Sequence, residues 1–130
     1  MNLMLFRGLA SRLLLSKRKV KEEPPAVISV TERLALTSAD SGNTYSLSAA
    51  LELPLRASLT AGWTIDVQCA IVGRYVTVTG AEEGIGLVYL DGSPSDGIYL
   101  DSLDATATIT FNGSNFQVTV NSGTVTWYWV

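Results

Sequence analysis

The C-terminal half of the chain alternates apolar and polar residues at period two, and this restricts the fold more than any other feature. Trp63, Ile65 and Val67 fall on one side, with Thr64, Asp66 and Gln68 on the other. The same pattern sets Val76 and Val78 against Thr77 and Thr79, and Ala105, Ala107, Ile109 and Phe111 against Thr106, Thr108 and Thr110. It recurs in Phe116, Val118 and Val120 against Gln117 and Thr119, and in Val125, Trp127 and Trp129 against Thr126 and Tyr128. Successive strand residues point to opposite faces, so each segment predicts a strand with one face on a core and a threonine-rich face toward solvent or a partner. Gly73, Asn112-Gly113-Ser114-Asn115 and Asn121-Ser122-Gly123 separate these segments, as hairpin loops do.

Upstream the signals are shorter. Ala26–Thr31 reads as a first strand, Leu34–Thr37 as another short one, Ser38–Thr44 as a loop and Tyr45–Leu51 as a further strand. Pro54 assigns the residues after it to an edge or a connection. The expected fold is mainly β: an antiparallel meander closed as a sandwich or small barrel, preceded by an amphipathic helix or extended arm. Three segments follow: a basic anchoring segment 1–25, an extended linker and first strand 26–44, and a β domain 45–130.

Composition narrows the chemistry. Of 130 residues, 47% are hydrophobic and only 16% charged, which calls for a packed core and hints that neighbours cover part of the surface. Histidine is absent and Cys69 is the single cysteine. No internal disulfide, Cys/His metal set or Ser-His-Asp site can therefore be assembled. No cofactor is expected, and the chain reads as a non-enzyme.

Charge is divided unevenly. Residues 1–21 carry Arg7, Arg12, Lys17, Arg18, Lys19 and Lys21 and no acid, while residues 22–130 carry three basic and twelve acidic groups. An acidic body repels nucleic acid, so any anionic partner falls to the N-terminal segment. In residues 1–23 Leu5, Phe6, Leu9, Ala10 and Leu13 share a side at helical spacing, although Met4 and Leu15 stray from it. Pro24-Pro25 stops the helix and imposes an extended path. Arg7 and Arg12 cut the apolar stretches too short for a signal peptide or a membrane span. A transit peptide's composition fits better, but the segment is read as retained. Membrane-surface binding wants a cleaner apolar face and nucleic-acid binding wants interleaved aromatics. Docking on protein needs only the apolar stripe flanked by charge, with Leu5, Phe6, Arg7, Leu9, Arg12, Leu13, Lys17, Arg18, Lys19 and Lys21 as the anchoring residues.

Other candidates each have a plainer reading. The stretch Asp91–Asp101 holds several acids and hydroxyls, yet its spacing is not that of a calcium loop, and it reads as paired Asp-Gly turns. Asp101 with Asp104, or Glu82 with Glu83, could act as glycosidase carboxylates, but surface acids are commoner. Gly80, Gly84 and Gly86 lack phosphate-loop spacing. Cys69, in an apolar run, reads as a buried small hydrophobe. Trp127, Tyr128 and Trp129 could contact a glycan or a sister subunit, or pack as a last core strand.

An ordered set of landmarks resembles the short β modules of bacteriophage head fibres and tail fibres. They are Leu53-Pro54, Gly62-Trp63-Thr64-Ile65-Asp66-Val67, Val76-Thr77-Val78, Leu90-Asp91-Gly92 and Asn112-Gly113-Ser114-Asn115-Phe116-Gln117-Val118. The resemblance covers about residues 45–120. Phe116 stands where tryptophan is usual, and residues 81–104 are longer than a minimal module. The resemblance implies a virion structural protein, often a homotrimer, displayed on the particle surface. Capsid decoration or a head fibre is the first expectation, docked on the major capsid or another virion protein through residues 1–25. A tail or neck fibre or adaptor component is the alternative, as is a carbohydrate-binding module for host surface glycans.

Overall fold

The computed structural model describes residues 26–130, so the anchoring residues between Leu5 and Lys21 lie outside the described residues. The fold is mainly β, with twelve strands in two sheets. Strands β1 (Val27–Val30), β3 (Thr44–Leu47), β5 (Thr64–Cys69), β10 (Thr106–Phe111), β11 (Phe116–Ser122), β7 (Val88–Leu90) and β8 (Ser93–Ser95) lie side by side in that order. The second sheet runs β12 (Val125–Tyr128), β9 (Gly97–Leu100), β6 (Arg74–Thr77), β4 (Leu51–Glu52) and β2 (Leu34–Ala35). Segment 26–44 thus gives one strand to each sheet.

The chain alternates between the sheets. β1, β3 and β5 go to the first, while β2, β4 and β6 go to the second, so neighbours within each sheet run parallel. Val27 registers on Thr44 and Leu34 on Leu51, the same step along the sequence, as in successive rungs of a coil. Parallel strands need a long crossover, usually helical. Here the crossover is a strand of the opposite sheet. The later strands pair as hairpins and returns: β10 is antiparallel to β5 and β11, and β9 to β6 and β12. The sheets are therefore mixed, and the expected antiparallel meander describes only part of the later strands, since β11 runs parallel to β7. Alternation fixes which side chains face inward but not which strand lies beside which.

The inward set forms one core. Trp63, Ile65, Val67, Ala107, Ile109, Phe111 and Phe116 from the larger sheet meet Leu51, Val76, Ile98 and Leu100 from the smaller, all buried. Removing such apolar side chains from water contributes roughly 1.5–3 kcal/mol each. On the outer face of the larger sheet the threonines bond across strands. Thr108 Oγ1 donates to Asp66 Oδ1 at 2.6 Å, Thr64 and Thr110 hydroxyls meet at 2.9 Å, and Asn121 Nδ2 donates to Thr108 Oγ1 at 3.0 Å.

Two backbone positions fix the strand that changes sheets. Asp91 and Gly92, at φ of 53° and 77°, form a two-residue primed turn between Leu90 and Ser93. Gly97 opens β9 where the backbone of β6 comes so close that an added Cβ would sit 1.9 Å from the Val76 carbonyl oxygen. Only glycine fits there.

Candidate functional site

The clearest cluster of functional groups on the described surface joins three tyrosines from β6, β9 and β12, three adjacent strands of the smaller sheet. Tyr75 registers on Tyr99, and Thr126 of β12 registers on Tyr99 from the other side. Tyr75 and Tyr128 stack at 4.4 Å with an interplanar angle of 9°. Tyr99 meets both rings edge-on, at 6.0 and 5.1 Å. Such pairs add about 0.5–1.5 kcal/mol beyond the area they bury. Arg33 Nη1 donates to the Tyr75 hydroxyl at 3.3 Å and approaches Glu52 at 3.9 Å, while Thr126 Oγ1 donates to Asp101. Burial, then the neighbouring Tyr75, raises the Tyr128 phenol above its ordinary pKa. The result is a half-buried aromatic patch bordered by a cation and two acids. Of its tyrosines the sequence singled out only Tyr128, because Tyr75 and Tyr99 lie 24 positions apart and meet only through strand pairing.

Trp127 and Trp129 are separate from this patch and do not enter the core; they are 42% and 54% exposed. Trp127 Nε1 donates to the Leu90 carbonyl at 3.1 Å, so β12 leans on the β7–β8 hairpin of the other sheet. A methyl placed on Gly86 would lie 3.2 Å from Pro94 Cβ and 3.7 Å from the Trp129 ring, so that indole lies over Gly86 and Pro94. The two indoles thus close one side of the two-sheet body while leaving apolar surface outside. With Ile85 at 58% and Val130 at 65% exposed, this edge carries apolar area available to a partner.

Of the carboxylates, Glu82 is buried and bound by Arg56, whose Nε reaches Oε2 at 3.0 Å, while Glu83 is exposed. The two do not converge on one space. Arg56 Nη1 also donates to the Ser114 carbonyl at 3.0 Å, and this ion pair borders an open cleft of about 500 Å³ lined further by Leu59, Phe111 and Gly113. Asp101 accepts from Thr126 and Asp104 from Ser102, so each acid is held by a hydroxyl. Cys69 is half-buried, and its thiol pKa is raised by burial first and then by the carboxylates of Asp101 and Asp104. Thiolate, the reactive form, is correspondingly scarce near neutrality.

The group the sequence most misjudged is Asp96. Within an apparent turn, it is only 1% exposed. Its Oδ1 accepts the Gly84 N–H at 2.9 Å and its Oδ2 the Val130 N–H at 3.2 Å. Its own N–H donates to the Tyr128 carbonyl at 2.9 Å. One side chain thereby ties the loop before β7 to the end of the chain beside β12.

Among the described residues no group of three or more His, Cys, Asp or Glu is placed to hold a metal ion, and no helix is long and apolar enough to cross a membrane. No protein-family model matches the sequence, and no curated protein matches it.

Proposed function

We propose that the chain is a non-enzymatic structural protein of a bacteriophage virion, a β domain displayed on the particle surface and held there by residues 1–25. The carrying observation is the fate of the body's cations. Residues 26–130 contain three arginines against ten acids, and all three are engaged within the body: Arg33 with Tyr75 and Glu52, Arg56 with Glu82 and Ser114, Arg74 with the Ser48 carbonyl. Contact with an acidic partner surface then falls to the six basic residues ahead of Pro24. The fibre-module resemblance supplies the particle, and its docking partner is the major capsid or another virion protein. The domain forms a homo-oligomer, a trimer by that resemblance, and the apolar edge around Trp127 and Trp129 suits burial between subunits. In purified particles the chain should occur at a copy number set by capsid or tail symmetry. Deleting residues 1–25 should remove it from particles while leaving an oligomeric β-rich protein. Retention on particles after that deletion refutes the anchor.

A second reading, contact with host surface glycans, is favoured by the Tyr75, Tyr99 and Tyr128 patch with its Arg33 and Asp101 border. A glycan array probed with the full chain, Trp129→Ala and Tyr99→Ala separates the surfaces: loss in only one variant locates binding, and no signal from the parent removes the reading.

A further inference from the structure

Two sheets give four edges, and three of them are obstructed. β8 carries Pro94 at its centre, which has no N–H to offer. β2 is two residues long, beside the charged Glu32 and Arg33. β12 leans through its indoles on the β7–β8 hairpin. Natural sheets protect edges by such means. β1 is four residues long, holds no proline and leans on nothing among the described residues, although Glu32 flanks it as it flanks β2. No described residue pairs with its outer side, and Val27 is 49% and Ile28 38% exposed.

The backbone register says which groups wait there. Val30 pairs with Leu47 in the parallel ladder, and its carbonyl accepts the Ser48 N–H at 2.9 Å. Parallel bonding uses alternate residues, so Val30 and Ile28 serve β3, while the N–H and C=O groups of Val27 and Ser29 point away from it. Those four groups can be satisfied only by another strand or by water.

We propose that the occupant is β1 of a second copy, paired antiparallel about a two-fold axis through Ile28. In that register Val27 of one chain exchanges both backbone bonds with Ser29 of the other, and the symmetric pair does the same. The two Ile28 residues then oppose each other as the close, non-hydrogen-bonded pair. The upstream sequence supports this occupant. Residues 1–25 precede the described body, and Ala26 alone separates them from β1. The two residues before Ala26, Pro24-Pro25, have φ fixed at negative values, so the sequence there does not favour a two-residue hairpin turn into β1. Charge chooses the direction. A parallel pair would set two segments of six cations side by side. The antiparallel pair, in which the two chains enter β1 from opposite ends, avoids that juxtaposition of like charges.

The inference stands apart from the virion reading, because it concerns only how two copies meet. If the head is trimeric, such pairing joins two trimers into a six-chain assembly with two-fold and three-fold axes. A contact of four residues a side is small, so it forms where copies are concentrated.

The test uses the full chain in a Cys69→Ser background. Ile28→Cys should form an intermolecular disulfide under mild oxidation, since Cβ atoms of such a pair lie about 4.5–5.5 Å apart. Val27→Cys should not, because the two copies of residue 27 lie two positions out of register. Ser29→Pro removes an outward N–H from each copy and leaves the β1–β3 ladder intact. It should weaken two-fold association about 30-fold, the effect of two ordinary hydrogen bonds, with an unchanged melting temperature. Should Ser29→Pro fail to fold, the cysteine pair decides alone. Cross-linking that is equal at positions 27 and 28, or absent at 28 in chains that still associate, overturns the proposal, as does a folded Ser29→Pro that associates like its parent.

Discussion

Asp96→Asn is the sharpest probe of how the domain is held together, because it alters one atom and two hydrogen bonds. The carboxylate is 1% exposed and accepts two backbone N–H groups, from Gly84 at 2.9 Å and Val130 at 3.2 Å, and among the described residues no cation is bonded to it. Hydrogen bonds to a charged acceptor contribute about 1.5–3 kcal/mol and neutral ones about 1 kcal/mol. In the variant the amide oxygen keeps the shorter bond to Gly84 at the neutral strength. The amide nitrogen then faces the Val130 N–H, donor against donor. That contact relaxes by moving Val130 and freeing Trp129 from Gly86 and Pro94. Opposing this loss, the buried charge and its desolvation cost disappear. Gly84 and Val130 are themselves exposed, so the carboxylate sits near the rim and that relief is partial. The balance is a net destabilisation of about 1–3 kcal/mol. Denaturant unfolding should show it as a lower midpoint at unchanged slope. Val130→Pro deletes the same N–H donor, so in a double-mutant cycle Asp96→Asn should cost clearly less in that background. A variant as stable as the parent, or additive costs in the cycle, would show that the carboxylate does not latch the chain end.

Gly97→Ala should be far more damaging, at least about 3 kcal/mol, because its methyl would meet the Val76 carbonyl oxygen in a paired strand; a folded variant within 1 kcal/mol of the parent contradicts the close approach. Trp127→Phe removes the indole donor to Leu90 and should cost about 0.5–1.5 kcal/mol, read by thermal unfolding. Burial leads the causes that raise the phenol pKa of both Tyr45 and Tyr128. Since the neutral form is the one favoured by folding, the stability they lend is complete below the unfolded value of about 10 and declines as pH climbs through the higher folded values. Ultraviolet titration of the phenolates should show part of the five tyrosines ionising late; simultaneous ionisation of all five near the free value would sink this.

The inward faces were legible because strand geometry converts alternation directly into burial. Trp63, Ile65, Val67, Ala105, Ala107, Ile109 and Phe111 all fall on the buried side. The pattern weakens along β11, where Val118 is partly buried and Val120 is 38% exposed. Beyond Val118, β11 has a paired neighbour, β10, on one side only. Parallel neighbours were illegible for a different reason. They depend on the chain passing through the opposite sheet between strands, and no local residue pattern records that passage. The tyrosine patch and the Asp96 contacts depend on the same crossings, which bring Tyr75 beside Tyr99 and Gly84 beside the chain end.

This winding also sets the two ends of the described body far apart. β1 and β2 are the outermost rungs of the alternating strands, so the described chain begins at an edge strand of the larger sheet and next forms an edge strand of the smaller. The last strand, β12, lies at the opposite edge of the smaller sheet, against the β7–β8 hairpin at the far edge of the larger one. If residues 1–25 hold the particle as proposed, a pull on them would reach the described body first at β1 and its parallel ladder to β3, before the Asp96 contacts. Under that same proposal, pairing β1 with a second copy would give the strand that carries the pull a hydrogen-bonded neighbour on both sides.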